Sequence, residues 1–366
     1  MKVLLAPAEF YFKPGNYHVT FNILKRVNAE FTILCGNVHP DVKKVVRARI
    51  FELGQPFYIY PLKILRFGLK LKTDIIHHIS PFAIGKDFNL LALKTDKPFV
   101  IGPMEIPHKF FEDEARMFKI PFILKTLRDS KIREILSVKT MERCDIAITV
   151  NRATEKYLKE FVDKENVRII PLGVDTKFFK YSTPPNNYEI LAVGIHIKRK
   201  GFDYLIRTMK EIVKEYPEAK LHITSQGPQT ENLKRLVKSL DLEKHVIFHG
   251  RVSDEKLLEL YRNCRVFVHP SISESFSPVR LEAMAVGRPV VATTAASGAD
   301  EMIKNGKTGF LIPPADEEAI VKAVLKIFDD YDLTIRMGRN ARKIVEEKYD
   351  WDLIAKEYYN VYRELV

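Results

Sequence analysis

The chain has 366 residues, of which 46% are hydrophobic and 29% charged, and it carries a formal net charge of +12. At about 150 residues per domain, this length predicts two domains that each have a hydrophobic core, and the composition excludes a disordered or fibrous chain. Residues 1–180 hold 31 Lys and Arg and 20 Asp and Glu, a net charge of +11, whereas residues 181–366 hold 28 and 27, a net charge of +1. An anionic partner is therefore expected for the first half.

The cysteines and the apolar runs exclude further classes. The three cysteines, Cys35, Cys144 and Cys264, form no C-x-x-C pair. We therefore expect neither a disulfide framework nor a thiolate zinc site, and we expect a reducing compartment. No apolar run approaches the roughly 18 residues of a membrane-spanning helix, and Met1–Pro7 is too short for a signal peptide. We therefore expect a cytoplasmic protein. Three glutamines beside many Lys and Glu favour a thermophilic source.

Apolar, β-rich runs alternate with amphipathic segments along the chain. The strands predicted in the first half are Val3–Ala6, Phe31–Leu34, Asp74–Ile79, Phe99–Ile101, Ile146–Val150 and Val167–Ile170. Those predicted in the second half are Ile190–Val193, Lys220–Ile223, Val246–Phe248, Val266–Val268, Val290–Ala292 and Phe310–Ile312. Helical periodicity lies at Phe202–Glu215, Thr230–Leu240, Asp254–Asn263, Asp316–Asp329 and about 333–366. This alternation predicts α/β domains whose parallel sheets are covered on both faces.

A short polar segment, Tyr181–Asn187, is the predicted linker. It contains two prolines and two asparagines, which interrupt both helix and strand. We accordingly predict two doubly wound, Rossmann-like domains, at 1–183 and 184–345. The last segment, 346–366, is predicted to be a helix that packs back on the first domain.

The stretch from Val266 to Thr293 is the most informative part of the sequence. A strand leads into a polar loop, Ser277 stands where a helix N-cap is expected, and Pro278 occupies the first helical position. The helix is predicted to stop at Gly287, and a second strand follows. The loop therefore lies at the carboxyl edge of a sheet, where ligands bind in open α/β folds.

Two glutamates bracket the start of this helix. Glu274 precedes Ser277 by three residues and Glu282 follows Pro278 by four. The helix start between them offers free N–H groups and a positive dipole end, which suit a phosphate, while carboxylates accept hydrogen bonds from sugar hydroxyls. A nucleotide sugar has both features. The alternative is that Glu274 is a solvated loop residue and Glu282 a surface helix residue.

Three segments together resemble a known family. They are the Glu274-x7-Glu282 pair followed by AMAVGRPVVA at 283–292, GKTGFLI at 306–312, and IPLGVD at 170–175. This set resembles the family 4 retaining glycosyltransferases of GT-B fold, over most of 141–350 and more weakly over 1–140. The resemblance implies two Rossmann-like domains facing a central cleft, with the donor in the second and the acceptor in the first. It also implies retention of anomeric configuration and no metal or other cofactor, with a UDP- or GDP-type sugar as donor.

The resemblance assigns roles on the donor side. It implies that Glu274 positions the sugar, that Glu282 holds the ribose and that Lys200 stabilises the leaving diphosphate. Ile195 stands where the family usually has a second phosphate-binding arginine, so Lys198 or Arg199 is expected to substitute. The remaining donor-side candidates are Gly15, Gly194, Val252, Phe276, Ser277 and Pro278.

The first half supplies candidates for the acceptor or sugar side. They are His78 at the end of a predicted strand, and Glu105 and His108 in the loop after another. For each histidine a purely structural role is the alternative. No His, Asp or Glu cluster has the spacing of a zinc site, so no metal is expected.

Basic residues cluster in the first half at Lys43–Lys72 and Lys119–Arg143. Lys63, Arg66 and Lys70 fall at helical spacing on one face, and Leu62, Leu65 and Leu69 form the other. Such helices bind membrane surfaces or phosphates. We therefore predict a lipid-linked or phosphorylated acceptor and peripheral contact with the inner face of the membrane. The alternative is a solvated helix face over an ordinary core.

Two other functional classes stay open. A nucleotide-sugar epimerase or a phosphorylase-like enzyme also uses two Rossmann domains, although the Glu-x7-Glu set favours a sugar transferase. A nucleic-acid-binding protein would account for the charge of +12, but no aromatic stacking pattern or nucleic-acid motif accompanies it. We therefore expect no nucleic-acid partner.

Overall fold

The computed structural model describes residues 1–8, 14–35, 48–54, 60–79, 87–105, 131–295 and 298–366. The described residues divide into two compact units. The first contains those up to Gly173 together with Trp351–Val366, and the second contains those from Val174 to Asp350. In the described part of the chain, no helix is long and apolar enough to span a membrane.

The first unit is built on a parallel sheet with seven strands among its described residues, in the order β3-β2-β1-β4-β5-β6-β7. The strands are β1 (Lys2–Ala8), β2 (Glu30–Cys35), β3 (Ala48–Glu52), β4 (Ile75–Ile79), β5 (Phe99–Met104), β6 (Ile146–Thr149) and β7 (Val167–Ile169). The helices are α1 (Pro14–Arg26), α2 (Tyr60–Gly68), α3 (Lys131–Glu142), α4 (Arg152–Leu158) and, at the other end of the chain, α12 (Trp351–Glu364).

The second unit has a parallel sheet with six strands among its described residues, in the order β10-β9-β8-β11-β12-β13. The strands are β8 (Glu189–Val193), β9 (Lys220–Thr224), β10 (Val246–Gly250), β11 (Val266–His269), β12 (Val290–Thr293) and β13 (Gly309–Ile312). The helices are α5 (Phe202–Glu215), α6 (Thr230–Ser239), α7 (Asp254–Asn263), α8 (Pro278–Ala285), α9 (Ala299–Met302), α10 (Glu317–Asp329) and α11 (Tyr331–Lys348).

These two doubly wound sheets confirm the predicted α/β class. Central strands such as β4, β6, β11 and β12 are buried along their whole length, which is why they read as continuous apolar runs. One strand, β3, was not predicted. It lies at the edge of its sheet, and Arg49, Phe51 and Glu52 are exposed, so it carries no apolar run.

The segment predicted as a linker is anchored within the second unit, and the division falls between Gly173 and Val174 instead of at 183/184. Arg288 donates hydrogen bonds to the backbone and hydroxyl oxygens of Ser182, and Arg265 donates to Asn186 Oδ1 at 3.0 Å. Prolines and asparagines do interrupt regular structure at 181–187. Two buried guanidinium groups nevertheless hold this irregular chain in place.

The final helix, α12, belongs to the first unit. Tyr362 Oη lies 2.6 Å from His77 Nδ1 in β4, and Asp352 accepts a 2.7 Å hydrogen bond from Arg26 in α1. Gly173 lies against the indole of Trp351, where a Cβ atom would come within 2.7 Å of the ring. The C-terminal residues therefore complete the fold of the N-terminal sheet.

Helix α2 does not lie over an ordinary core in the way that the alternative interpretation held. Leu62 and Leu69 of its leucine face are 60% and 56% exposed, and Ile64 is buried instead. Lys63 turns inward and donates a 2.6 Å hydrogen bond to Leu53 O. The helix packs through the turn in which Gly68 meets Leu91, a tertiary contact that helical spacing does not encode.

Replacing Tyr362 with Phe is expected to destabilise the first unit by about 1–2 kcal/mol, because it leaves a buried polar nitrogen of His77 without its partner. Tyr358→Phe is the matched control, since the Tyr358 hydroxyl is buried and has no hydrogen-bond partner among the described residues. That variant should be neutral or stabilising. Urea unfolding of both variants measures the difference, and equal losses would contradict a structural role for the His77–Tyr362 hydrogen bond.

Candidate active site

The loop between β11 and α8 carries the central residues of the site. As predicted, Pro278 is the first residue of α8, and Gly287 follows the helix with a φ of +85°. Ser277 has extended N-cap geometry, but it makes no side-chain capping bond. Its hydroxyl instead lies 3.0 Å from His269 Nε2 at the end of β11. The N–H groups at the start of α8 therefore gain no hydrogen bond from this side chain.

Glu274 is buried and held by two cations. Arg199 donates to Oε1 at 3.1 Å and Lys200 donates to Oε2. Burial alone raises the pKa of this carboxyl, but the cations Lys200 and Arg199 outweigh it and lower the pKa to about 2. Glu274 is therefore ionised throughout the neutral range, as a residue that balances positive charge must be.

The two cations reach Glu274 because a tight turn follows β8. Residues Lys198–Lys200 form a single 3₁₀ turn that ends at Gly201, whose φ is +64°. A Cβ atom on Gly201 would overlap the carbonyl oxygen of Pro270, so only glycine lets the loop after β8 approach the loop after β11. Ile272 N–H donates to Arg199 O at 2.8 Å and joins the same two loops.

Glu282 lies one turn into α8 and has a different environment. Tyr261 in α7 donates a 2.9 Å hydrogen bond to its Oε2 and contacts Val279 O at 3.1 Å. Burial raises the pKa of Glu282 to about 7, although the Tyr261 hydrogen bond lowers it. The two glutamates that share one helix start are thus shifted in opposite directions.

Two residues of this site were not predicted from the sequence. Tyr261 is buried and hydrogen-bonded to Glu282, and His269 Nε2 lies 3.8 Å from Glu274 Oε2. Burial, together with Lys200 and Arg280, lowers the pKa of His269 well below its ordinary value, so the imidazole is neutral. Only its position at the carboxyl end of a strand could have drawn attention to His269, and nothing in the sequence marks Tyr261.

The other donor-side candidates of the second unit differ in burial and in their distance from the loops that carry Glu274 and Lys200. Gly194, at the end of β8 with a φ of +154°, lies beside the side chain of Lys200, and Phe276 is buried in the β11–α8 loop. Lys198 is exposed and lines a groove of about 620 Å³ between α5 and α6. Val252 lies in the loop after β10, half-buried. The role of each of these residues stays a prediction.

Of the candidates in the first half of the sequence, Gly15, His78 and Glu105 belong to the first unit. Helix α1 begins at Pro14, four residues before the predicted start near His18, so Gly15 lies in its first turn. His78 is buried in β4, and burial, with His77 beside it, lowers its pKa to about 3. Glu105 follows β5 and is half-buried. His108 lies outside the described residues. Within the described ranges, no cluster of three or more His, Cys, Asp or Glu could hold a metal ion.

Comparisons with known proteins match both halves of the chain. The glycosyl transferases group 1 family matches residues 173–344, and Glycosyltransferase Family 4 matches residues 24–178. An uncharacterised glycosyltransferase of Methanocaldococcus jannaschii is 39% identical over 64% of this chain and 64% of its own. A mannosylfructose-phosphate synthase of Agrobacterium fabrum is 29% identical over 68% of this chain and 58% of its own. The chain thus matches less than two thirds of the length of either relative.

Solved structures agree on the fold. The Anabaena protein HepE, solved in complex with UDP, superposes over 100% of both chains with a TM-score of 0.79 and 19% sequence identity. Together the two family models match residues 24–344, so the chain is similar to the group 1 glycosyltransferases. It has the two-domain GT-B fold of the solved structures, which confirms the predicted fold class.

Tyr261→Phe is expected to raise the pKa of Glu282 above about 7, because the hydrogen bond that favours the carboxylate is lost. NMR titration of ¹³C-labelled glutamate carboxyl groups measures this shift, and Glu282→Gln identifies the resonance. Tyr216→Phe, which removes a hydroxyl bound to Asp329 elsewhere in the unit, should leave the Glu282 titration unchanged. A lower or unaltered pKa in Tyr261→Phe would contradict the role assigned to Tyr261.

Proposed function

We propose that this protein transfers a sugar from a nucleotide-diphosphate sugar to an acceptor hydroxyl with retention of anomeric configuration. The carrying observation is the buried, ionised Glu274 held by Arg199 and Lys200 beside the start of α8. A carboxylate, two cations and a helix N-terminus together suit a substrate that has a diphosphate next to a sugar. The Anabaena protein HepE was solved in complex with UDP and with UDP-glucose, which supports a donor of this type.

The cations would act on the leaving group. Negative charge builds up on the diphosphate as the glycosidic bond breaks, and positioned cations and N–H groups that meet this charge lower the barrier. Lys200 and Arg199 lie in the loop after β8 and contact Glu274, three residues before Ser277 at the start of α8. We propose that they supply this charge without a metal ion, so chelators should not inhibit transfer.

Glu274 would face the sugar. Its two oxygens are engaged by Arg199 and Lys200, so donor binding must exchange these cations for sugar hydroxyls while the phosphates take up the cations. The low pKa of Glu274 keeps the carboxylate charged during this exchange. It can then balance the positive charge that develops at the anomeric carbon.

Glu282 would accept hydrogen bonds from the ribose hydroxyls. Tyr261 fixes the position of its carboxylate through Oε2, which leaves Oε1 for the ligand. UDP- and GDP-type donors share this ribose, so the assignment holds for either base.

Glu274→Gln is expected to reduce kcat for transfer by at least about a thousandfold while nucleotide affinity changes little, because the lost charge acts near the transition state. Glu282→Gln should instead weaken nucleotide binding by about tenfold, since it removes an anionic acceptor. Glu259→Gln, on the exposed side of α7, is the control. Donor-dependent release of nucleoside diphosphate and calorimetric nucleotide titration separate the two effects. Wild-type kinetics in both site variants would refute the proposed function.

We further propose that the acceptor is lipid-linked or phosphorylated and that the first unit contacts an anionic membrane. Helix α2 and the residues after it expose Leu62, Phe67 and Leu69, at 60%, 44% and 56%, next to the exposed cations Arg66 and Lys70. Apolar side chains mixed with cations are typical of helices that lie in the membrane interface. The exposed leucines therefore support this proposal over the alternative of a helix face above an ordinary core.

Liposome flotation tests this contact. Recovery with phosphatidylcholine vesicles that also contain phosphatidylglycerol should exceed recovery with phosphatidylcholine alone, and Leu62→Ser with Leu69→Ser should abolish the difference. Leu353→Ser, which alters a 42% exposed leucine in α12 of the same unit, is the matched control. Equal recovery with both vesicle types would remove membrane contact from the proposal.

A further inference from the structure

Three arginines of the second unit are almost fully buried, with exposures of 1% for Arg265 and 0% for Arg280 and Arg288. Both terminal nitrogens of Arg265 and of Arg288 have acceptors. Arg265 donates to Ile327 O at 2.8 Å and Phe328 O at 3.1 Å, and Arg288 donates to Cys264 O at 3.1 Å and Val286 O at 3.0 Å. Two of the three thus have an evident structural role.

Arg280 is the exception. Its Nε, Nη1 and Nη2 atoms have no hydrogen-bond partner among the described residues. Burial lowers the pKa of this guanidinium to about 10, so the group is charged at neutral pH. A buried, unpaired cation is costly to a fold, and buried polar groups without partners are uncommon in native proteins. The arrangement therefore needs a reason other than stability.

The surroundings of Arg280 indicate what it could bind. It occupies the third position of α8, and its charge acts on Glu274 and His269, which both precede the helix. Helical side chains lean toward the N-terminus of their helix, and the charge of Glu274, three residues before Ser277, acts on this guanidinium as that of Tyr349 does. The N–H groups at a helix start and a planar guanidinium both favour an oxoanion.

The charge balance leads to the same ligand. Both Glu274 oxygens are already engaged by Arg199 and Lys200, and His269 is neutral. Three cations therefore surround a single carboxylate at the start of α8. The net excess of positive charge matches a ligand that brings about two negative charges.

We propose that Arg280 binds an oxoanion of the nucleotide-sugar donor. This inference rests on the proposed function. The oxoanion is either the diphosphate or an acid group on the transferred sugar, and both offer a charged pair of oxygens that a guanidinium fork binds. Donor binding then provides the partner that the described residues do not.

Thermal unfolding of the ligand-free protein separates this role from a structural one. Arg280→Met keeps an unbranched side chain about as long as the aliphatic stem of arginine and removes the charge. Because no hydrogen bond is lost, its unfolding temperature should equal or exceed that of the wild type. Arg288→Met is the control and should unfold at a lower temperature, because it leaves the Cys264 and Val286 carbonyls without their donor. A loss in Arg280→Met as large as in Arg288→Met would overturn the proposal.

Calorimetric binding of UDP, GDP, UDP-glucose and UDP-glucuronate then identifies the oxoanion. If it is the diphosphate, Arg280→Met weakens every ligand by about tenfold or more, and Arg280→Lys restores part of this loss. If it is a sugar acid, the wild type binds UDP-glucuronate at least about tenfold more tightly than UDP-glucose. Arg280→Met then erases that preference and leaves the affinity for UDP unchanged.

Two outcomes of the binding experiment would also overturn the proposal, and they have different consequences for the proposed function. If the wild type binds these nucleotides and Arg280→Met binds them equally well, Arg280 has no such role and the proposed function stands. If the wild type binds none of them, the proposed function and the role of Arg280 fall together.

Discussion

The ion pairs between Glu274 and the cations Arg199 and Lys200 are the interaction on which the rest of the site depends. They join the loop after β8 to the loop after β11, and they form because Gly201 lets the two backbones meet. They also set the protonation of the site, since cations that outweigh burial keep Glu274 charged. A ligand that takes the place of this pairing must offer both anions for the cations and donors for the carboxylate, which describes a sugar joined to a diphosphate.

Much of this arrangement could be predicted from local sequence. Helices α5 and α7 have the predicted bounds, at Phe202–Glu215 and Asp254–Asn263, because their apolar spacing and their first-turn acids act locally. Pro278 and Gly287 delimit α8 for the same reason: one has a backbone suited to a helix start, and the other adopts a positive φ easily. Motif spacing also predicted the positions of Glu274 before α8 and of Glu282 within its first turns, and the roles of both residues stay predictions.

The rest depends on contacts between segments distant in sequence. The hydroxyl of Tyr261 contacts Glu282, which is 21 positions further along the chain. Arg265 binds Asn186 over a separation of 79 residues, and Arg288 binds Ser182 over a separation of 106. Composition correctly marked the segment 182–187 as irregular, but irregular chain is a linker only where nothing holds it. Helix α2 is a second example of a contact that local sequence does not encode. Its spacing allows either of two faces to be buried, and the contact between Gly68 and Leu91 determines which face packs inward.

The same helix start gives two carboxylates opposite titration behaviour, and this follows from environment alone. The lowered pKa of Glu274 means that its ion pairs stabilise the fold above its ordinary pKa of 4.5 and are lost as pH falls toward about 2. The raised pKa of Glu282 acts in the opposite sense, because its stabilising contribution is present below 4.5 and is lost as pH rises through about 7. In the ligand-free fold, the cost of burying the charged forms of Glu282 and Arg280 is thus not fully offset by their neighbours. A donor that supplies hydroxyl groups to one and an oxoanion to the other would stabilise both, so binding energy and fold stability are coupled at α8.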